Sequence, residues 1–210
     1  MLRTAAGSAT FLANNAPLIV GLLTWLMTRK LPSRRFWTAL VIAFSGACLI
    51  VSMDFKHLQS GYFADLLAVL ASVCFAFYLL ITERVREELD TAILAAMSTT
   101  ASALALLAFA ACAHVSLMVP AASSFASLIG LGVVCQLAGY YCLTYALGHL
   151  PATDSSIVLL GVAPLTAVNA LMIFDERMTI LQLLGGSFIL LAVWIVSSGP
   201  AMGRRNASSA

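Results

Sequence analysis

Charged residues are scarce in this chain of 210 residues, at 10% of all positions, whereas apolar residues make up 61%. An ordinary soluble domain carries roughly 25% charged residues, because its surface must be solvated by water. The scarcity therefore excludes a soluble globular class and favours a chain that is solvated by lipid. The apolar runs are much longer than barrel strands of about 10 residues and lack strict alternation, so they predict helices.

Motifs for metal binding, redox chemistry and proteolysis are also missing. The five cysteines lie inside apolar runs without CxxC or Cys/His spacing, which is typical of small buried side chains. The sequence has no HExxH and no pair of aspartates in the middle of a run. The chain is therefore not expected to be an enzyme, and no cofactor is expected. No ionisable residue lies near the centre of a run, which gives no case for proton coupling.

Seven apolar runs are long enough to cross about 30 Å of hydrocarbon. They cover residues 8–27, 36–53, 61–82, 92–114, 125–147, 154–174 and 179–198. The connections between them are short and hold nearly all of the charge, which leaves no second, soluble domain. The predicted fold class is an all-α polytopic membrane protein with about seven transmembrane helices.

The basic residues predict the orientation of these helices, because lysine and arginine in short loops remain cytoplasmic. Because the chain crosses the membrane seven times, its loops alternate between the two sides. The larger group of basic residues lies on one side: Arg29, Lys30, Arg34, Arg35, Arg84, Arg86, Arg204 and Arg205. The smaller group, Arg3, Lys56 and Arg177, lies on the other. The larger group shares its side with the C-terminus. The C-terminus is therefore predicted to be cytoplasmic in the inner or plasma membrane, and the loop arginines are interpreted as topology anchors.

The two ends of the chain resemble each other weakly. Placing Pro17 on Pro164, a shift of 147 residues (164 − 17), aligns two copies of a helix with a central proline, a short turn and a second helix. The charge pattern gives the two copies opposite orientations. Inverted repeats of this kind are typical of secondary transporters, which bind their solute near the membrane midplane between the halves.

The two prolines are the first candidate binding residues. A proline inside a helix removes one N–H group, so Pro17 leaves the carbonyl of Ala13 without its helical partner, and Pro164 does the same to Leu160. In a membrane such carbonyls must face other helices or a water-filled cavity. A packing kink satisfied by a neighbouring helix is the alternative interpretation.

Side-chain amides and a phenol supply the other candidates. Asn14 and Asn169 flank the prolines, and Gln136 lies at the centre of the fifth run with Tyr140 one turn later on the same face. A buried amide without a partner costs on the order of 2 to 7 kcal/mol, so the two asparagines are expected to face the protein interior. Hydrogen bonds between helices and close helix packing remain the alternatives to solute binding.

The segment SATFLANNAPLIVGLLTWLMTRKLPSRRFWTALVIAFSGACLIV resembles the closing part of the first repeat in EamA-type members of the drug/metabolite transporter superfamily. The segment from GYFADLLAVLASVCFAFYLLITERV to VWIVSS resembles a complete second repeat, including the run Ala163-Pro164-Leu165 and the turn Glu176-Arg177. The resemblance implies a remnant of a ten-helix inverted-repeat fold that begins at the family's fourth helix. Its first turn departs from the family, with Arg29 and Lys30 where an acidic residue often stands beside a basic one.

The resemblance implies three regions: residues 1–54 as two helices of the first repeat, residues 55–199 as the second repeat of five helices, and residues 200–210 as a cytoplasmic tail. It implies a permease that exports small metabolites or drug-like solutes by alternating access. The expected partners are the lipid bilayer and a small solute, with no nucleic acid. A second copy would be needed to close a cavity if three helices of one wall are absent. The alternative is a nontransporting membrane fragment or a partner in helix packing.

Overall fold

Helices are the only regular elements in the part of the chain that the computed structural model describes, which is residues 15–29, 31–51, 62–114, 122–174 and 179–198. A π-helical segment at Leu131–Gly139 joins α5 to α6. The α-helices are α1 Ala16–Thr28, α2 Arg34–Val51, α3 Tyr62–Val85, α4 Thr91–Cys112, α5 Ala122–Gly130, α6 Tyr140–Leu147, α7 Ala152–Leu160, α8 Val162–Phe174 and α9 Ile180–Ser197.

Among the residues that the structure describes, five helical stretches are long and apolar enough to cross a membrane, and each overlaps a predicted run. They are Leu66–Val85, Thr91–Cys112, Phe125–Leu147, Ala152–Asn169 and Ile180–Ser197. Helix α1 is a shorter apolar helix of 13 residues, and the predicted run that contains it begins outside the described residues. Helix α2 has 18 residues and opens with two arginines. The predicted class, an all-α polytopic membrane protein, is confirmed.

The described helices form two compact units. The first combines the described parts of residues 1–81 and 150–210, and the second consists of those of residues 82–149. The boundary at residue 81 falls inside α3, so this helix contributes to both units.

The core of the first unit is built on one face of α2. Phe36, Ala39, Leu40 and Ala43 recur at helical spacing and are all buried. Helices α7 and α9 cover this face with Ile157, Leu160, Ile189 and Ala192. The apolar stripe of α2 therefore positions α7 and α9.

Glycine lets α2 and α9 approach each other closely. A Cβ atom on Gly46 would lie 2.5 Å from the carbonyl oxygen of Gly185, and a Cβ atom on Gly185 would lie 2.5 Å from the carbonyl oxygen of Gly46. Small residues at helix crossings allow such backbone contact in membranes, where association depends on packing rather than on a hydrophobic driving force. The crossing fixes α9 against the α2 face.

The predicted run 154–174 is divided in the structure into α7 and α8, with Gly161 between them. The N–H of Gly161 donates to the carbonyl of Val158, and the next helical bond runs from Leu165 N–H to the Gly161 carbonyl. Pro164 has no N–H to donate to Leu160, so the helical ladder is interrupted where the sequence predicted a freed carbonyl.

The N-cap residue of α7 is Pro151, and Asp154 lies in the first turn. A carboxylate in that turn favours the helix, because it faces the positive end of the helix dipole. Thr179 is the N-cap residue of α9.

Within the described part of the second unit, nine residues interrupt the α-helical geometry. Residues 122–147 are helical throughout, but the nine residues from Leu131 to Gly139 follow the wider π-helical pattern. The C-terminal part of this helix, α6, packs against α4. All the described side chains from Phe125 to Cys142 are exposed.

Candidate functional site

A cleft of about 180 Å³ opens between α8 and α9 in the first unit. Helix α8 supplies one wall and α9 supplies the other, while the end of α2 closes one side. The lining residues are Ile50, Ala163, Pro164, Ala167, Val168, Gln182, Leu183, Gly186, Ser187 and Leu190.

The spacing of residues on α8 and α9 explains why these two faces form the cleft. Ala163, Pro164, Ala167 and Val168 follow each other at intervals of one and three residues, which places them on one face of α8. A Cβ atom on Gly186 would stand 3.4 Å from the Pro164 Cβ atom, which is ordinary van der Waals contact. The proline that interrupts the helix therefore also forms part of the cleft wall.

The two polar side chains in the wall bond to their own helix. The carbonyl oxygen of the Gln182 amide accepts a hydrogen bond from the Thr179 N–H over 2.9 Å. The Ser187 hydroxyl donates to the carbonyl of Leu183 over 2.8 Å. The remaining lining is aliphatic or glycine, so the cleft offers apolar contact with a small number of polar groups, which is the usual composition of a small-molecule site.

The structure places the predicted residues of the first unit in different surroundings. Pro164 lines the cleft, whereas Pro17 is fully buried in the first turn of α1 and is not part of the lining. Asn14 lies outside the described residues. The expectation that Asn169 faces the interior is wrong: its side chain is exposed, and its NH₂ group donates to the Leu165 carbonyl over 3.1 Å. An amide can be satisfied by its own helix in this way without any partner helix.

Gln136 and Tyr140 belong to the second unit. Gln136 lies within the π-helical segment and Tyr140 begins α6 directly after it. Both side chains are exposed, Tyr140 at 38%. π-helical geometry inside an α-helix is rare and is found frequently at functional sites.

Sequence reasoning missed the contribution of α9 to the cleft. Gln182 and Ser187 are polar residues within an otherwise apolar run, and this was the signal that could have identified them. It also missed the structural role of Arg86, whose guanidinium donates hydrogen bonds to two backbone carbonyls. Among the residues that the structure describes, no three His, Cys, Asp or Glu side chains come together as a metal site.

Comparison with known proteins gives one family and two relatives. The profile of the family described as "EamA-like transporter family" matches residues 62–198. The chain is 28% identical over 189 residues to "Uncharacterized transporter YwfM" of Bacillus subtilis (strain 168), which covers 89% of this chain and 62% of that protein.

The second relative is "Probable 4-amino-4-deoxy-L-arabinose-phosphoundecaprenol flippase subunit ArnF" of Yersinia enterocolitica serotype O:8 / biotype 1B (strain NCTC 13174 / 8081). It is 34% identical over 76 residues, which is 33% of this chain and 59% of that protein. The matches thus span less than two thirds of the length of either relative.

Proposed function

The chain belongs to the EamA-like transporter family, and from that premise we propose that it is a permease that moves a small, partly apolar solute by alternating access. The observation that carries this proposal is the cleft at Pro164. It lies where a membrane-spanning helix is interrupted, and interrupted helices mark solute sites in inverted-repeat transporters. The relatives are named as a transporter and a flippase subunit, which supports a transport function.

The cleft favours a solute with a substantial apolar part. Its two polar side chains already hold backbone groups of α9, so the wall offers chiefly van der Waals contact. A polar part of the solute would need other groups, and the exposed Asn169 side chain on α8 offers its amide oxygen, since its NH₂ group donates to the Leu165 carbonyl. Independently of the cleft, we assign Asn14, Pro17, Gln136, Tyr140, Pro164 and Asn169 to solute binding.

The proposed organisation follows the inverted repeat. Residues 1–54 contribute two helices of the first repeat, residues 55–199 form the second repeat, and residues 200–210 form a cytoplasmic tail. The protein resides in the inner or plasma membrane.

An assembly partner is the second candidate function. It is favoured by the exposure of every described side chain from Phe125 to Cys142, including the Gln136 amide in mid-helix. An amide facing hydrocarbon is costly, so a helix of another chain would be a suitable neighbour. The relative named as a flippase subunit is consistent with a hetero-oligomer, and a second copy of this chain would serve the same purpose.

Uptake measurements on the reconstituted protein distinguish a permease from an assembly partner. The purified chain in proteoliposomes is expected to accelerate the uptake of at least one compound from a panel of amphipathic metabolites and dyes. Replacing Gln136 and Asn169 together by alanine is expected to reduce the apparent affinity about 5- to 150-fold, because two hydrogen bonds contribute about 0.5 to 1.5 kcal/mol each.

Thr166→Ala is the matched control, because Thr166 is exposed one turn before Asn169, bonds to its own helix and does not line the cleft. Its uptake kinetics should equal those of the unmodified chain. Unchanged kinetics in the double variant would contradict the assignment of Gln136 and Asn169 to solute binding. A complete absence of flux, together with a stable oligomer in native mass spectrometry, would favour the assembly partner.

A further inference from the structure

Arg86 binds two backbone carbonyls that lie far apart in sequence. Its Nε–H group donates to the carbonyl oxygen of Thr144 over 3.3 Å, and its Nη1 group donates to the carbonyl oxygen of Leu89. Leu89 lies in the turn between α3 and α4, whereas Thr144 lies in the last turn of α6. One half-buried guanidinium thus joins the α3–α4 turn to the end of the helix that contains the π segment.

Gly148 creates the space for this guanidinium. A Cβ atom at residue 148 would stand 2.7 Å from Nη2, 2.9 Å from Nε and 3.1 Å from Cζ of Arg86. Gly148 has ordinary right-handed backbone angles, with φ −77° and ψ −12°, so its backbone conformation does not require glycine. Glycine is required because a Cβ atom at this position would occupy the space of the Arg86 guanidinium.

The backbone at the end of α6 is arranged around the arginine. The Gly148 N–H donates to the carbonyl three residues earlier, Tyr145, over 3.1 Å, and the His149 N–H donates to Ala146 over 2.9 Å. In an α-helical turn the Gly148 N–H would instead donate to Thr144, four residues earlier. The tightened turn leaves the Thr144 carbonyl available, and Arg86 takes the place of the missing donor.

We propose that Arg86, Leu89, Thr144 and Gly148 form a latch with two states. In the closed state, which the structure shows, Arg86 bonds to Thr144 and the helix ends in the tightened turn. In the open state the Gly148 N–H returns to Thr144 and the helix ends in α-helical geometry. Each state provides a donor for the Thr144 carbonyl, so opening leaves no buried carbonyl unsatisfied.

The latch controls the freedom of the helix that carries Tyr140 and the π segment. When Arg86 is bound, the last turn of α6 is tied to the α3–α4 turn within the same compact unit. When Arg86 is released, this end of the helix can move relative to the turn. A small change at a helix end is then transmitted along a continuous helix, as in other two-state elements.

Dipolar electron paramagnetic resonance on the full chain in nanodiscs tests this proposal. One spin label is attached to the native Cys142, which is exposed on α6, and the other to a cysteine that replaces the exposed Glu88. The remaining native cysteines are replaced by alanine. The unmodified latch should give two distance populations, and Arg86→Ala should shift their ratio at least about tenfold toward the longer distance, because hydrogen bonds to a charged group are lost.

Gly148→Ala should produce the same shift, because a methyl group would occupy the position of the guanidinium. Arg86→Lys should give an intermediate shift, since an ammonium group keeps the charge but lacks the planar fork that reaches two carbonyls. Two controls should match the unmodified latch. Arg84→Ala removes the same charge from an exposed position in the last turn of α3, and Gly130→Ala adds a methyl group that meets no atom within 4 Å.

Three results would overturn the latch. A single distance population that Arg86→Ala only broadens would show a static structural contact. Equal distributions for Arg86→Lys and the unmodified latch would show that charge alone is sufficient. Equal shifts in Arg84→Ala and Arg86→Ala would show an effect of charge on the loop. If Arg86→Ala does not fold, the distance distributions of Gly148→Ala and Arg86→Lys are compared with that of the unmodified latch instead, and the same results would overturn it.

Discussion

Glycines in this chain act in two different ways at the residue level. At Gly46 and Gly185 the absence of a side chain permits two backbones to touch, whereas at Gly130 a Cβ atom would meet nothing within 4 Å. The same chemical change, glycine to alanine, therefore has opposite expected effects at different positions. Only the neighbours of each glycine distinguish the two cases, and those neighbours come from other helices.

Gly46→Ala is expected to destabilise the protein by about 1 to 3 kcal/mol, because its methyl group would displace the carbonyl of Gly185 and separate α2 from α9. Gly130→Ala should stabilise the helix by about 0.5 to 1 kcal/mol, because alanine loses less backbone entropy. Thermal unfolding in detergent measures both changes. Midpoints that shift in the same direction would contradict this interpretation of the crossing.

Asn169 shows how a residue-level expectation can fail. The sequence placed an amide in an apolar run, and the cost of burying an unpaired amide predicted an interior partner. The structure instead satisfies its NH₂ group with the Leu165 carbonyl one turn earlier on the same helix. The local bond removes part of the cost, so the amide can remain on an exposed face.

At the level of elements, interruptions of helical geometry mark the regions of functional interest. Gly161 and Pro164 separate α7 from α8 beside the cleft, and a π segment separates α5 from α6. At the first interruption the sequence predicted that Pro164 leaves the Leu160 carbonyl without its helical partner, but it did not predict that the run divides at Gly161. The π segment could not be predicted from residue types. It depends on whether each carbonyl accepts from the N–H group four or five residues later, and residue types do not decide between these two patterns.

Pro164→Ala is expected to restore the hydrogen bond from residue 164 to the Leu160 carbonyl and to extend α8 toward α7. The free energy of unfolding should rise by about 0.5 to 1.5 kcal/mol, because the variant gains one backbone hydrogen bond. Hydrogen exchange of residues 160–166 should slow, and solute transport should fall as the cleft wall changes.

Pro32→Ala is the control, because Pro32 lies between α1 and α2 rather than inside a helix. It should change neither exchange at residues 160–166 nor transport. Unchanged exchange in Pro164→Ala would show that the break between α7 and α8 is imposed by packing around Gly161 rather than by the proline.

For the whole molecule, the distribution of basic residues is the main determinant of orientation in the membrane. The charge pattern predicts that eight of the 11 basic residues share a side with the C-terminus and that three, Arg3, Lys56 and Arg177, lie on the other. Arg86 belongs to the larger group, and its hydrogen bonds show that a residue on that side also has a structural role. Arg86 therefore contributes to the charge pattern that predicts the orientation and also to the hydrogen bonds that hold its loop.

A green fluorescent protein fused to the C-terminus should fluoresce, and an alkaline phosphatase fused at the same point should be inactive, because the predicted C-terminus is cytoplasmic. The reciprocal pattern, with active phosphatase and a dark fluorescent fusion, would reverse the predicted orientation. It would also place the Arg86 latch on the opposite side of the membrane from the one that the charges predict.

The sequence alone determined the helical membrane class, the positions of the apolar runs and the missing N–H group at Pro164. Hydropathy and the missing proline N–H are properties of a segment and do not depend on its neighbours. The tertiary structure decided which faces meet: the contact of Gly46 with Gly185, the joining of Gln182 and Ser187 to the Pro164 cleft, and the acceptors of Arg86. In a chain where most residues are apolar, many pairs of faces are almost equally hydrophobic, so close packing and a few polar bonds make the choice.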